Sequence, residues 1–246
     1  MAQVIFVFAH QDDEIAAASR IRFHIARGDA VTCVYLTDGA SRVASNVRDA
    51  ESRRVLSALG VTDVLFLGSE HGIADGKLPE HLDRALALLE SVTPPSSAAL
   101  LEVVTLAWEG GHQDHDAAHL VALVFAHRRG VPCRELPLYN GEGTRGPFFR
   151  VGHPIGDGWQ TRRITQREKF ANALLCRFYA SQRMTWLGLM PFLFLLPARE
   201  LIRDVSRSRA TAPPHRGRLL YERRFRYPYA RFASLAEPFL REWVRD

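Results

Sequence analysis

Apolar residues along the chain fall into two alternating patterns. Short continuous runs occupy residues 4–9 (VIFVFA), 31–36 (VTCVYL), 64–67 (VLFL) and 100–106 (LLEVVTL). Runs of this length, rich in β-branched and aromatic residues, suit strands buried on both faces of a parallel sheet. The stretches between them, residues 14–26, 47–59, 80–92 and 116–128, read as helices, with stops at Gly28, Gly60, Pro94–Pro95 and Gly130. Strand and helix therefore alternate from residue 4 to about residue 130. The alternation predicts an α/β fold: a three-layer, Rossmann-like, mostly parallel sheet with helices on both faces. In such sheets functional sites form at the carboxyl ends of the strands.

Beyond Pro132 the alternation weakens. Residues 136–139 and 148–151 suit strands, 166–181 suits a helix, and 141–147 and 152–159 are loop-rich. The most apolar segment is WLGLMPFLFLL at 186–196, too short for the ~20 residues that span a bilayer. It reads as a buried or partly buried helix pair around Pro191, with a membrane-touching or acyl-binding surface as the second reading. After Pro197 the chain is rich in arginine and is broken by Pro213–Pro214. The expected division is a catalytic-type domain over 1–185 and a C-terminal apolar and Arg-rich extension over 186–246, packed on the same domain. Arg199, Arg203, Arg207, Arg209, Arg216, Arg218, Arg223, Arg224 and Arg226 read as a solvated face.

Composition narrows the class. With 246 residues, 47% hydrophobic and 24% charged, the chain can bury a sizeable core. The formal net charge of +5 favours anionic partners. There is no Gly-rich phosphate loop and no interleaving of aromatic and basic residues, so nucleic acid is not expected. The three cysteines, Cys33, Cys133 and Cys176, form no CxxC pair, which fits a reducing compartment. The first residues lack the marks of a signal peptide, and the expected location is cytoplasmic.

Two motifs carry chemistry. Ala9-His10-Gln11-Asp12-Asp13-Glu14 directly follows the first strand, and His112-Gln113-Asp114-His115 follows the 100–106 strand. Zinc accepts imidazole nitrogens and carboxylate oxygens, and catalytic zinc sites use three protein ligands with one open position. Two histidines and an aspartate fill three positions. A further carboxylate nearby can take a proton from water that the metal acidifies to a pKa near ~7.

The two motifs together resemble those of the PIG-L/LmbE-like deacetylases, which read AHPDDE and HPDH in the same order. Thr37-Asp38-Gly39, Arg48 and Glu51 before Leu59-Gly60, Phe66-Leu67-Gly68, Asp75-Gly76, Glu109-Gly110-Gly111, Lys169 and Tyr179-Ala180-Ser181-Gln182 extend the likeness over roughly 4–182. The resemblance implies zinc held by His10, Asp13 and His115, with Asp12 as general base. His112 would stabilise the oxyanion or protonate the leaving amine, and Asp114 would orient a histidine. Beside the resemblance, Arg48 reads as a substrate contact from the site's rim or as a helix-face ion pair with Glu51, and Asp38 as a substrate contact or a residue that shapes the turn. Two departures stand out. Gln11 and Gln113 replace the family's prolines, and Gly110 stands where some sugar deacetylases carry a tyrosine.

The reading is a zinc-dependent hydrolase that removes an N-acetyl or other N-acyl group from a small molecule or glycoconjugate containing an amino sugar. A peripheral membrane contact is the partner suggested by 186–196. The same centre would serve an amidase for a thiol conjugate or another amide. A reading from another class is a basic, non-catalytic binding protein on the same scaffold.

Overall fold

The computed structural model describes residues 2–40, 43–93, 99–205 and 212–244. The first half follows the predicted alternation: β1 (Gln3–Phe8), α1 (Glu14–Ala26), β2 (Ala30–Tyr35), α2 (Ser45–Leu59), β3 (Asp63–Leu65), α3 (Leu67–His71), α4 (Leu82–Val92), β4 (Leu100–Leu106) and α5 (Gln113–Arg128). The second half contains β5 (Cys133–Leu136), β6 (Tyr139–Asn140), β7 (Arg150–Val151), β8 (Gln160–Arg163), α6 (Gln166–Ala173), α7 (Arg183–Leu195), β9 (Arg199–Asp204), α8 (Leu220–Arg224) and α9 (Tyr229–Val244).

Seven strands form one sheet in the order β3-β2-β1-β4-β5-β9-β8. The first five are parallel, and β9 and β8 are added antiparallel at the edge. Alternating side chains of β1 face opposite layers: Ile5 and Val7 pack toward α4, α5 and α9, while Val4, Phe6 and Phe8 pack toward α1 and α2. The continuous apolar run is thus needed because both faces are covered. The strand order reverses between β1 and β4, which are neighbours in the sheet. That reversal opens a crevice at their carboxyl ends, where both histidine motifs emerge. Among the described residues, no helix is long and apolar enough to cross a membrane.

Several expected boundaries move. The 64–67 strand ends at Leu65, because the chain turns at Phe66 and enters α3. The 136–139 strand is split into β5 and β6. Pro137 has no N–H for a ladder, and the amides of Leu138 and Tyr139 both donate to Glu109 Oε1 at 2.7 Å. The 166–181 helix stops at Ala173 and continues as 3₁₀ turns over 174–178 and 180–182. Tyr179 between them is non-helical, and its hydroxyl is drawn to Ser52 Oγ (2.6 Å) and Glu14.

The 186–196 run forms one partly exposed helix, α7, continuing past Pro191 instead of the expected pair. The arginines do not form one solvated face. Arg203 is 5% exposed and bonds Glu135 and Ile155 O, while Arg223 binds Gly141 O and Thr144 O. Arg207, Arg209 and the Pro94–Pro95 stop lie outside the described residues.

Candidate active site

The crevice opens into a cavity of about 700 Å³ lined by His10, Asp12, Asp13, Arg48, Asp75, His112 and His115, among others. The β1–α1 turn supplies the first group. Asp13 Oδ2 accepts the backbone N–H groups of Ala9 (3.1 Å) and His10 (2.9 Å), folding the motif back on itself. The other oxygen, Asp13 Oδ1, is left 3.1 Å from His115 Nε2. His115 lies in the first turn of α5, and His112 is the N-cap residue of the same helix.

His10 is oriented by Asp114. The Asp114 carboxylate accepts from the Gly76 and Leu78 amides and stands 3.1 Å from His10 Nε2. A carboxylate only accepts, so Nε2 carries the hydrogen and the Nδ1 lone pair faces the cavity. That atom lies 3.0 Å from His115 Nε2. Three donors therefore converge: His10 Nδ1, Asp13 Oδ1 and His115 Nε2. Ligands on a tetrahedral zinc at ~2.0–2.1 Å stand about 3.3 Å apart, and the observed spacings of 3.0 and 3.1 Å match that scale. The electrostatics also favour a cation. Burial lowers the His10 pKa, yet Asp75, Asp114 and Asp13 together raise it well above its ordinary value.

A second group of possible ligands, His10, Asp75 and His112, shares His10. It is the poorer metal site. His10 Nε2 is already bonded to Asp114, and His112 Nδ1 accepts the Asp114 amide at 3.2 Å. With Nδ1 accepting, the neutral His112 ring carries its hydrogen on Nε2 and is a donor there. Burial, reinforced by the neighbouring His10, lowers the His112 pKa to about 3. Its ring packs edge-on against His10 and Phe225, each with centroids 4.7 Å away.

Asp12 stands apart from the ligand group. Its φ is 117°, a backbone region that side chains rarely adopt but that aspartate tolerates better than most. Its amide donates to Glu14 Oε2 at 3.0 Å and its carboxylate lies 3.3 Å from Arg48 Nη2. Burial raises the Asp12 pKa, opposed by the Arg48 charge. Arg48 is 4% exposed and also bonds Gln11 O. Its Nε and Nη1 are buried and have no hydrogen-bond partner among the described residues, while Arg48 as a residue lines the cavity. Glu51 does not pair with Arg48 but accepts from Ser181 N and Oγ, tying α2 to the 180–182 turn.

Asp38 does not line the cavity. Its Oδ1 accepts the amides of Ala40 (3.0 Å) and Asp75 (2.9 Å), so it reaches the site only by holding the Asp75 loop. The two glutamines that replace prolines are tethers. Gln11 Nε2 donates to Asp49 Oδ1 at 2.7 Å, and Gln113 Nε2 reaches Gly76 O at 3.5 Å. Gln11 also explains the glycine at 39, where a Cβ would lie 2.0 Å from Gln11 Oε1.

Sequence reasoning did not place Asp75, Tyr139, Arg224 or Phe225 in the site, and all four line the cavity. Asp75 Oδ1 is 3.2 Å from His10 Nε2. Tyr139 packs its ring 5.5 Å from that of His115 and lies so close to Gly111 that a Cβ there would meet Tyr139 O at 2.2 Å. The Asp75-Gly76 pair in the sequence was the one available signal.

Comparison with solved structures supports the same fold. A deacetylase of the teicoplanin biosynthesis pathway has a TM-score of 0.64 at 15% identity, covering 83% of this chain and 98% of that one. The N,N'-diacetylchitobiose deacetylase of Pyrococcus horikoshii gives 0.57 at 17%, covering 82% and 83%. The 4-carboxy-2-hydroxymuconate hydratase of Pseudomonas putida gives 0.51 at 15%, covering 84% and 97%, so the fold carries more than one reaction. No curated protein matches the sequence. The family model for GlcNAc-PI de-N-acetylase, PIG-L, matches residues 5–126, which include both histidine motifs. Over residues 5–126 the chain is similar to the PIG-L family.

Proposed function

We propose that this protein is a zinc-dependent hydrolase that removes an N-acetyl, or another N-acyl, group from an amino-sugar-containing small molecule or glycoconjugate. The observation that carries the reading is the convergence of His10 Nδ1, Asp13 Oδ1 and His115 Nε2 in a cavity that also holds Asp12, His112 and Arg48. A deacetylase of teicoplanin biosynthesis and a deacetylase of N,N'-diacetylchitobiose share the fold, and deacetylation is the activity named for both.

His10, Asp13 and His115 would hold the zinc. When bound, zinc supplies a Lewis acid that polarises the amide carbonyl and acidifies water. Asp12 takes a proton from the attacking water, whose oxygen bonds to the carbonyl carbon. The C–N bond then breaks, and the proton held by Asp12 passes to the leaving nitrogen, giving an amine and a carboxylic acid. His112 Nε2–H donates to the carbonyl oxygen as negative charge develops there, as its neutral tautomer requires. Arg48 holds Asp12 and, from its place in the cavity lining, contacts a substrate hydroxyl or carboxylate. We also propose that the segments 1–185 and 186–246 act as one unit, since β9 and α9 pack on the sheet and on α5.

The direct test is elemental analysis of purified protein together with amine release from methyl N-acetylglucosaminide. One zinc per chain and amine release that a chelator stops are expected. Metal-free protein without amine release would instead favour the binding-protein reading.

Two substitutions probe the roles. His112→Ala should lower kcat by ~10²–10³-fold, the loss typical of one oxyanion donor, while zinc content stays at wild type. Loss of zinc in that variant would make His112 a ligand. Asp114→Asn should weaken zinc retention or activity by ~10–100-fold, because the His10 ring loses its charged partner. Unchanged zinc affinity and activity would show that the Gly76 loop alone fixes His10.

A further inference from the structure

The cavity lining continues past the metal-site residues to a stretch, here the α7 arm, that the proposed chemistry does not use. Its wall is the inner face of α7, where Trp186, Leu189 and Leu193 follow one another at helical spacing, continued by Leu196. Ile15 and Leu136 line the same cavity. The outer face of α7 is solvent-exposed, with Met184 80%, Leu187 57% and Leu195 82% accessible. The helix is fastened at both ends. Near its start, the Trp186 ring lies 6.4 Å from that of Tyr179, and at its end Lys169 Nζ donates to Phe194 O at 2.6 Å.

Several polar side chains in this arm are engaged elsewhere. Lys169 is held by Phe194 O, Asn172 by Ser19 and Arg22, and Glu200 by Arg162, which leaves Gln182, Thr185 and the exposed Arg199 among its polar lining. A second sugar would therefore meet a mainly apolar wall and lose hydrogen bonds to water without replacing them. An aliphatic chain would bury apolar surface there at no such cost. The volume of about 700 Å³ lies within the ~300–1,000 Å³ usual for ligand pockets.

We propose that the α7 arm receives an aliphatic chain of the substrate, and that Leu189 and Leu193 set the chain-length preference. The identity of the chain as part of a substrate rests on the hydrolase reading. Two sources share this chemistry: the acyl group being cleaved, and an alkyl aglycone on the sugar.

The test uses the full-length zinc-loaded protein and two ligand series. One lengthens the N-acyl group on methyl glucosaminide from acetyl to hexanoyl. The other keeps N-acetyl and lengthens the aglycone from methyl to hexyl. Calorimetric affinity is measured for the matching products, acetate to hexanoate and methyl to hexyl glucosaminide, and kcat/KM for the substrates. In one series the affinity should rise by up to about fourfold per buried methylene, from ~0.8 kcal/mol each, and the responding series identifies the source. Leu189→Trp and Leu193→Trp, which fill the arm, should flatten that slope while zinc content is retained. A flat response in both series, or a slope that survives both tryptophans, overturns the proposal. A chain-length slope in binding with no hydrolysis of any substrate would leave the arm standing and sink the hydrolase reading instead.

Discussion

Alanine at His10, Asp13 or His115 is expected to bring bound zinc down to background and amine release down to the rate without enzyme. Each side chain contributes one donor atom to the converged group, and two remaining donors make a weak site for zinc. The three variants should differ in stability. Asp13 also accepts the Ala9 and His10 amides, so Asp13→Ala leaves two buried N–H groups unpaired at ~1–3 kcal/mol each. His115→Ala removes a ring from the first turn of α5 and leaves the β1–α1 turn intact, making it the cleaner test. Zinc measured by elemental analysis, with a thermal melt as the folding control, reads the result. Full zinc retention in all three folded variants would sink the assignment.

The sequence made β1, β2, β4 and the helices between them readable for a physical reason. Strands covered on both faces must be continuously apolar, and few other elements of that length are. The two motifs were readable because the β1/β4 switch point is where an α/β sheet places a site, and both motifs fall there. Elements at the sheet edge were not. QTRR and RELIRD look like a basic loop, yet they form β8 and β9, because their charges are neutralised across strands: Arg203 on Glu135, Arg162 on Glu200.

α9 was also missed, although its need was visible. Every residue of α5 from Gln113 to Ala126 is buried. A helix buried all round requires a second cover besides the sheet and α4, and Phe232, Ala236, Phe239 and Leu240 of α9 supply it. Tyr139 lies in the two-residue strand β6 and Phe225 in the turn after α8, both too short to show periodicity. Only the folded chain brings them beside His115 and His112.

Asp12→Asn is expected to keep one zinc per chain and to lower turnover by ~10²–10⁴-fold, the usual value of a general base. Asparagine is the informative replacement because of the backbone. At φ 117° Asp12 occupies a conformation that costs of order 1–3 kcal/mol in most residues. Asparagine shares the tolerance of aspartate for positive φ, so the turn that carries His10 and Asp13 stays in place. Alanine would add backbone strain to the lost carboxylate and confuse the two effects. The amide can still accept from Arg48 but cannot take a proton from water, so a loss of kcat with zinc and melting temperature retained isolates the proton transfer. Turnover near wild type with zinc bound would mean that another carboxylate takes the proton. Asp75 is then the group to replace, since it lines the same cavity with Oδ1 3.2 Å from His10 Nε2, and Asp75→Asn should show the loss that Asp12→Asn did not.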